Sequence, residues 1–207
     1  MTETYVMREI YIIRHGETEY NKKKIIQGRG VDAPLNETGK QQALKFYNQY
    51  KERQFDAVFS SNLIRTKQTL QPFSDKGYDI LSFSEIDEID WGSHEGKIST
   101  SDLRGEYKKI ITSWRNGDYK VTLPNGESPY DVQERLKYFI NNTLETSKGR
   151  ILICSHGRTM RIFLCTLLGY PLSRMDDFTH ENLSLYKLKG NNLNYELLLK
   201  NCTKHLN

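Results

Sequence analysis

The sequence predicts an α/β fold with a mainly parallel sheet. Three observations lead there. Short apolar runs alternate with longer amphipathic ones along the 207 residues. No repeat, low-complexity tract or Pro/Ser/Gly-rich linker divides the chain. Two of the apolar runs end in the same dipeptide, His15-Gly16 and His156-Gly157, as strand ends at one edge of an open sheet would. A chain of this length suits one domain, residues 1–207, better than two, and buries a substantial core without disulfides.

Taken in order, Glu9–Ile13 reads as a first strand whose near-continuous apolar character suits a central position. Thr38-Gly39-Lys40-Gln41 fits a capping box opening a helix to about Arg53, with Ala43, Leu44, Tyr47 and Tyr50 along one face. Asp56–Ser60 is a second strand, Leu63 to Phe73 a helix, and Ile80–Ser84 a short third strand. Ser101–Arg115 reads as a helix stopped by Asn116-Gly117, and Pro124-Asn125-Gly126 as a turn. Asp131 to Thr146 is helical by the spacing of Val132, Leu136, Phe139, Ile140 and Leu144. Ile151–Cys154 is a fourth strand, followed by a helix over Arg158–Leu168 that is apolar on most sides and so buried. Leu183–Leu188 and Tyr195–Leu199 form a terminal hairpin around Gly190-Asn191-Asn192, whose outer edge offers a surface for a homodimer; the oligomeric state stays open.

Composition narrows the functional classes. The chain is 37% hydrophobic, 11% aromatic and carries a net charge of +4, which suits a soluble globular protein. Its compact basic run, Lys22-Lys23-Lys24, is too short for a nucleic-acid stripe. Cys154, Cys165 and Cys202 are scattered and odd in number, without a CxxC, so neither a disulfide framework nor a zinc site is expected. Met1 to Arg8 lacks the apolar core of a secretory leader, and Ile162–Leu168 is far too short to span a bilayer. A cytoplasmic protein without nucleic-acid or membrane partners is expected.

The chemistry concentrates at three predicted strand ends: Arg14-His15-Gly16, Ser60-Ser61-Asn62 with Arg65, and Ser155-His156-Gly157. One histidine or one arginine is ordinarily a hydrogen-bonded or surface side chain. Two histidines and two arginines at one sheet edge are better explained as an anion site, because guanidinium grips phosphate oxygens bidentately. Nearby arginines also disfavour imidazolium, leaving a neutral ring with a lone pair for nucleophilic attack.

Ile13-Arg14-His15-Gly16-Glu17-Thr18 resembles the signature of the histidine phosphatase superfamily, the phosphoglycerate-mutase-like family. The resemblance continues through Asn21, Gln27-Gly28, Asp32–Asn36, Ser60–Thr69, Glu88–Gly96, Pro124–Ser128 and Ser155-His156-Gly157. It implies a three-layer α/β/α fold with a mainly parallel central sheet, and a cap-like insertion around residues 92–127 that sets specificity. It implies that His15 accepts the phosphoryl group. Arg14, Arg65 and His156, with backbone N–H groups of the first loop, would hold that group, and Glu88 would be the acid and base. Asn21, Gln27, Gly28 and Gly157 would complete the substrate site. No metal and no cofactor is implied, since the arginines supply the positive charge. The substrate would be a small phosphorylated metabolite. Trp91, Tyr107, Trp114 and Tyr119 are candidate lining residues of the insertion, though each also fits ordinary packing.

Other readings fare worse. No HExxH supports a metal hydrolase through His15, His94 and His156. No GxSxG supports a serine hydrolase, and no GxxxxGK[ST] a kinase. Two alternatives stay open. One is a cofactor-dependent phosphoglycerate mutase, although the adjacent Arg-Arg pair typical of family mutases is absent and Arg115 and Lys97 are only partial counterparts. The other is a phosphate-ligand-binding protein that has lost catalysis.

Overall fold

A computed structural model describes residues 7–98 and 100–207; Met1–Val6, within the stretch read for a leader, and Ser99 lie outside the described residues. Six strands, β1 (Arg8–Arg14), β2 (Ala57–Ser61), β3 (Ile80–Phe83), β4 (Arg150–Ser155), β5 (Leu185–Asn191) and β6 (Asn194–Cys202), form one sheet in the order β3-β2-β4-β1-β5-β6. The first four run parallel, while β5 is antiparallel to both β1 and β6. The order places β4 between β1 and β2, so the three polar clusters singled out in the sequence end side by side.

The central strands are buried on both faces because helices cover both. With the strand period of two, Tyr11 and Ile13 of β1 point to one face with Val58, Leu152 and Cys154. There they meet Phe46 of α2 (Glu37–Tyr50) and Leu70 and Phe73 of α3 (Ile64–Ser74); a four-residue α1 (Glu19–Lys22) precedes them. Ile10 and Ile12 point to the other face with Phe59, Ile151 and Ile153. That side is covered by α5 (Pro129–Phe139) and α6 (Gly157–Leu167). The α4 helix (Ser101–Arg115) adds Ile111 and Trp114 to the same core. The result is the expected three-layer α/β/α arrangement.

Several boundaries differ from expectation, each for a local reason. The cap of α2 is Asn36 and not a box on Thr38: Asn36 is extended, and its Oδ1 accepts from Gly39 N at 2.9 Å. The α2 helix ends at Tyr50 and a 3-10 turn follows to Arg53. The α5 helix starts two residues early, because Ser128 and Asp131 form a capping box around Pro129. It then loosens into a π-turn over Ile140–Leu144, with Glu145 N donating to Ile140 O at 2.8 Å. The hairpin turns at Asn192-Leu193, both in the left-handed region (φ 44° and 59°), rather than at Gly190–Asn192. This is the conformation a tight two-residue hairpin needs. Trp114 is fully buried and its Nε1–H donates to Val121 O at 2.8 Å, so it is a core residue and not a lining one. Tyr119 is half-buried against the same core. Among the described residues, no helix is long and apolar enough to cross a membrane.

Candidate active site

The carboxyl ends of β1, β4 and β2 lie side by side, and at the end of β1 a cleft of about 170 Å³ is lined by Arg14, His15, Asn21, Gln27 and Glu88, with Arg65 and His156 packed behind His15 rather than lining it. Register sets Arg14 opposite Ser155, and His15 N donates to Ser155 O at 3.0 Å. The loop after β1 is clamped against α2, where a Cβ on Gly16 would fall 2.6 Å from the Gly39 carbonyl oxygen, so both positions exclude a side chain.

His15 is almost fully buried, and its Nδ1 lies 2.7 Å from the Gly16 carbonyl oxygen. A carbonyl only accepts, so Nδ1 carries the proton and the Nε2 lone pair is left for the cleft that His15 lines. Burial first, then the charges of Arg65 and Arg14, push the His15 pKa well below the usual imidazole range. The ring is therefore neutral at neutral pH.

Arg14 also lines the cleft, and its buried Nε has no hydrogen-bond partner. Burial pulls its pKa down and the neighbouring Glu88 charge opposes that. A buried N–H left unpaired is costly, and an anion in the cleft would satisfy it. Arg65 is fully buried and more committed: Nε donates to His156 Nδ1 at 3.1 Å, Nη1 to Val31 O at 2.6 Å and Nη2 to Gly28 O at 3.1 Å. Two of its five N–H groups remain. His156 receives that Arg65 bond, so its proton sits on Nε2, which donates to Ser61 Oγ at 2.7 Å. Both its ring nitrogens thus have protein partners, and burial and Arg65 hold its pKa well below the imidazole range. Its ring lies 5.2 Å from that of His15, centroid to centroid.

Glu88 sits at the amino end of α6. Its Oε1 accepts from Ile89 N (3.0 Å), Thr159 N (2.9 Å) and Thr159 Oγ1 (3.2 Å), and its Oε2 from Arg158 N (3.1 Å). The helix amino terminus is the favoured place for a carboxylate. Asn21 and Gln27 line the cleft; Asn21 Oδ1 accepts from Thr18 and Asn182, and Gln27 Oε1 from Thr18 Oγ1. Gly28 is packed so tightly on Glu95 that a Cβ would lie 1.6 Å from its Oε1. Gly157 faces the polar cluster, its Cβ position lying 3.4 Å from Glu88 Oε2, 3.6 Å from His180 Nε2 and 3.7 Å from Arg14 Nε.

The expected use of first-loop N–H groups needs correction. Gly16 N donates to Thr69 Oγ1 and Glu17 N to Gln42 Oε1, both at 2.9 Å, and Thr18 N to Asn21 Oδ1 at 3.1 Å. With His15 N on Ser155 O, that stretch of backbone is already satisfied within the protein.

Three residues at the site, His180, Asn182 and Arg158, escaped the sequence reading. His180 is neutral, its pKa driven well down by burial and then by Arg14, and its buried Nδ1 has no partner. Asn182 Nδ2 donates to His15 O at 2.9 Å. Both lie in the loop entering β5. Because β5 is antiparallel to β1, its starting end lies at the edge where β1 finishes. The segment Thr179–Asn182 would have been suspect had that antiparallel pairing been placed. Arg158 is a further one: it pairs with Asp176 at 2.9 Å, donates to Tyr107 Oη at 3.3 Å and lies over the rings of Trp114 and Trp91. Among the described residues, no group of three or more His, Cys, Asp or Glu side chains could hold a metal ion.

Comparison with known proteins identifies the family of the fold. The model of the histidine phosphatase superfamily (branch 1) matches residues 10–203. The protein named "Probable phosphoglycerate mutase GpmB" of Escherichia fergusonii is 34% identical over 167 residues, covering 80% of this chain and 77% of that one. The α-ribazole phosphatase of Shigella flexneri superposes with a TM-score of 0.81 at 26% identity, covering 94% of this chain and 96% of that one. The phosphoserine phosphatase of Entamoeba histolytica, solved with 3-phosphoglyceric acid, superposes with a TM-score of 0.82 at 26% identity over 96% and 99% of the two chains. The chain belongs to the histidine phosphatase superfamily, branch 1, and is an enzyme of that family.

Proposed function

We propose that this protein is a metal-independent phosphomonoester hydrolase that works through a phosphohistidine at His15 on a small phosphorylated metabolite. The observation that carries this is the fixed tautomer of His15, whose Nδ1–H is held by the Gly16 carbonyl beside the unpaired Arg14 Nε. Nε2 attacks phosphorus and the P–O bond to the alcohol breaks. Arg14, flanked by Arg65 and His156, neutralises charge on the equatorial oxygens. Protonated Glu88 gives its proton to the leaving alkoxide. The resulting carboxylate takes a proton from water, which attacks the phosphohistidine; phosphate leaves and His15 returns to its neutral form. The donor set favours metal independence, because Arg14 lines the cleft beside its one carboxylate, Glu88, and the Arg65 charge acts on the same carboxylate, so a cation would meet two guanidinium groups. In this reading the segment 92–127 caps the cleft.

The 34% identity to a protein named as a phosphoglycerate mutase keeps transfer between phosphoglycerates as a second reading. One assay separates the two. Phosphate release from p-nitrophenyl phosphate in EDTA is expected from the wild type, and His15→Ala should lower it at least about 1,000-fold. A folded wild type that releases no phosphate but interconverts phosphoglycerates, when primed with bisphosphoglycerate, is a mutase.

A further inference from the structure

A second cavity, of about 360 Å³, opens beside the cleft and is lined by Ile26, His94, Lys97, Leu103, Arg104 and Tyr107. Ile26 and Tyr107 also line the cleft, so the two spaces meet at these side chains. The junction is held firmly. Tyr107 Oη accepts from Arg158 Nη2 at 3.3 Å, and its ring packs 5.2 Å from that of Trp91, which lines the cleft.

The walls of this chamber are apolar where they are deep. Ile26, Leu103 and Tyr107 are half-buried, whereas Lys97 and Arg104 are exposed. The buried His94 turns its ring nitrogens to protein: Nδ1 lies 3.3 Å from Ser93 Oγ, and Nε2 lies 3.3 Å from Leu103 O and 3.4 Å from Glu106. The ring nitrogens of His94 therefore have protein partners, and the half-buried lining left to a ligand is the carbon of Ile26, Leu103 and Tyr107. A space of this size and lining suits the apolar body of a small ligand.

We propose that this chamber receives the alcohol half of the substrate, and that the substrate class is a phosphomonoester whose leaving group carries an uncharged aryl or alkyl body. The proposal rests on the hydrolase reading above. Phosphoserine fits the lining poorly. Among the described residues, Lys97 and Arg104 line the chamber and no carboxylate does, Glu88 lying in the cleft, so an α-ammonium in the chamber would find no counter-charge.

The test compares 2-phenylethyl phosphate with ethyl phosphate, whose leaving alcohols have similar basicity, so the ratio of kcat/KM reads recognition of the body alone. O-phosphoserine and 3-phosphoglycerate complete the panel, and Leu103→Glu is assayed beside wild type. The wild type should favour the phenylethyl ester over the other three by about tenfold or more. Leu103→Glu should bring the phenylethyl-to-ethyl ratio towards one, with the loss in KM. A wild-type ratio near one, a preference for either acidic substrate, or an equal loss on both esters in the variant would overturn the proposal. Hydrolysis of none of the four would overturn the hydrolase reading instead. The chamber is then judged by calorimetric binding of 2-phenylethyl phosphate: tenfold weaker binding in Leu103→Glu supports it, and unchanged or absent binding refutes it.

Discussion

The sheet edge and the segment of residues 92–127 are built by different means. At the edge, polar side chains are buried and tied to one another: Arg65 to His156, His156 to Ser61, Glu88 to the amino end of α6. Two of the buried atoms without a partner, Arg14 Nε and His180 Nδ1, belong to side chains that meet beside Gly157. The segment 92–127 is held mainly by aromatic and aliphatic packing, with ion pairs from Arg115 to Asp176 and from Glu127 to Arg135. Trp114 and Ile111 are sunk in the core, Trp91 stacks on Trp114 at 5.8 Å, and Arg158 ties Tyr107 to α6. The difference teaches where each kind of function can reside. A preorganised polar edge can stabilise developing charge with little rearrangement. A segment anchored mainly by packing can change its lining without disturbing that edge.

This contrast can be broken by experiment. The largest effect is expected at the edge, where Glu88→Gln should lower turnover about 100- to 10,000-fold by removing the proton donor. Steady-state kinetics on a variant shown to be folded by circular dichroism checks this, and a loss under tenfold would remove Glu88 from the chemistry. In the segment 92–127, Trp114→Ala should cost stability: about 3–5 kcal/mol is typical for emptying so large a buried site. Urea unfolding measures it, and a cost below 1 kcal/mol would mean that the segment is not anchored through this ring.

Acidification should sharpen the contrast, because His15, His156 and His180 all have depressed pKa values in the folded protein. The unfolded chain takes up protons near pH 6.5, while the folded one resists them. Stability should therefore fall as pH drops below about 6.5, by up to roughly 1.4 kcal/mol per pH unit for each histidine. A urea midpoint unchanged between pH 7.5 and 5.5 would contradict the buried neutral rings. For the same reason the acid limb of kcat/KM should lie below the ordinary imidazole range. The smallest effect belongs to Tyr107→Phe, which removes the acceptor of the Arg158 bond but keeps the ring. A change within about fivefold in kcat/KM, carried by KM, is expected, and a large fall in kcat would move Tyr107 into the reacting group.

Much of this was legible in the chain. Apolar runs of four to six residues ending in Arg-His-Gly and Ser-His-Gly announced β1 and β4 and their edge, because strands buried on both faces need continuous apolar sequence. The resemblance to the family pattern, which runs through Glu88–Gly96, singled out Glu88 among its acidic neighbours, and that carboxylate does reach the amino end of α6. Capping was read less well. Asn36, Thr38 and Ser128 are all good caps by residue type, and which one caps depends on a backbone turn that packing selects.

The sequence by itself determined the alternation of strands and helices, the residues carrying charge and nucleophilic chemistry, and the family pattern that orders them. These are local properties, written in periodicity and short spacings. Tertiary structure alone decided that β4 lies between β1 and β2, which brings His15, His156 and Arg65 together. It decided that the antiparallel entry of β5 carries His180 and Asn182 to the same edge. It also committed the N–H groups of the first loop to Thr69 and Gln42, leaving Arg14 with an unpaired buried donor. Strand order and the partner of a given N–H depend on contacts between residues dozens of positions apart, and no window along the chain contains both ends of such a contact.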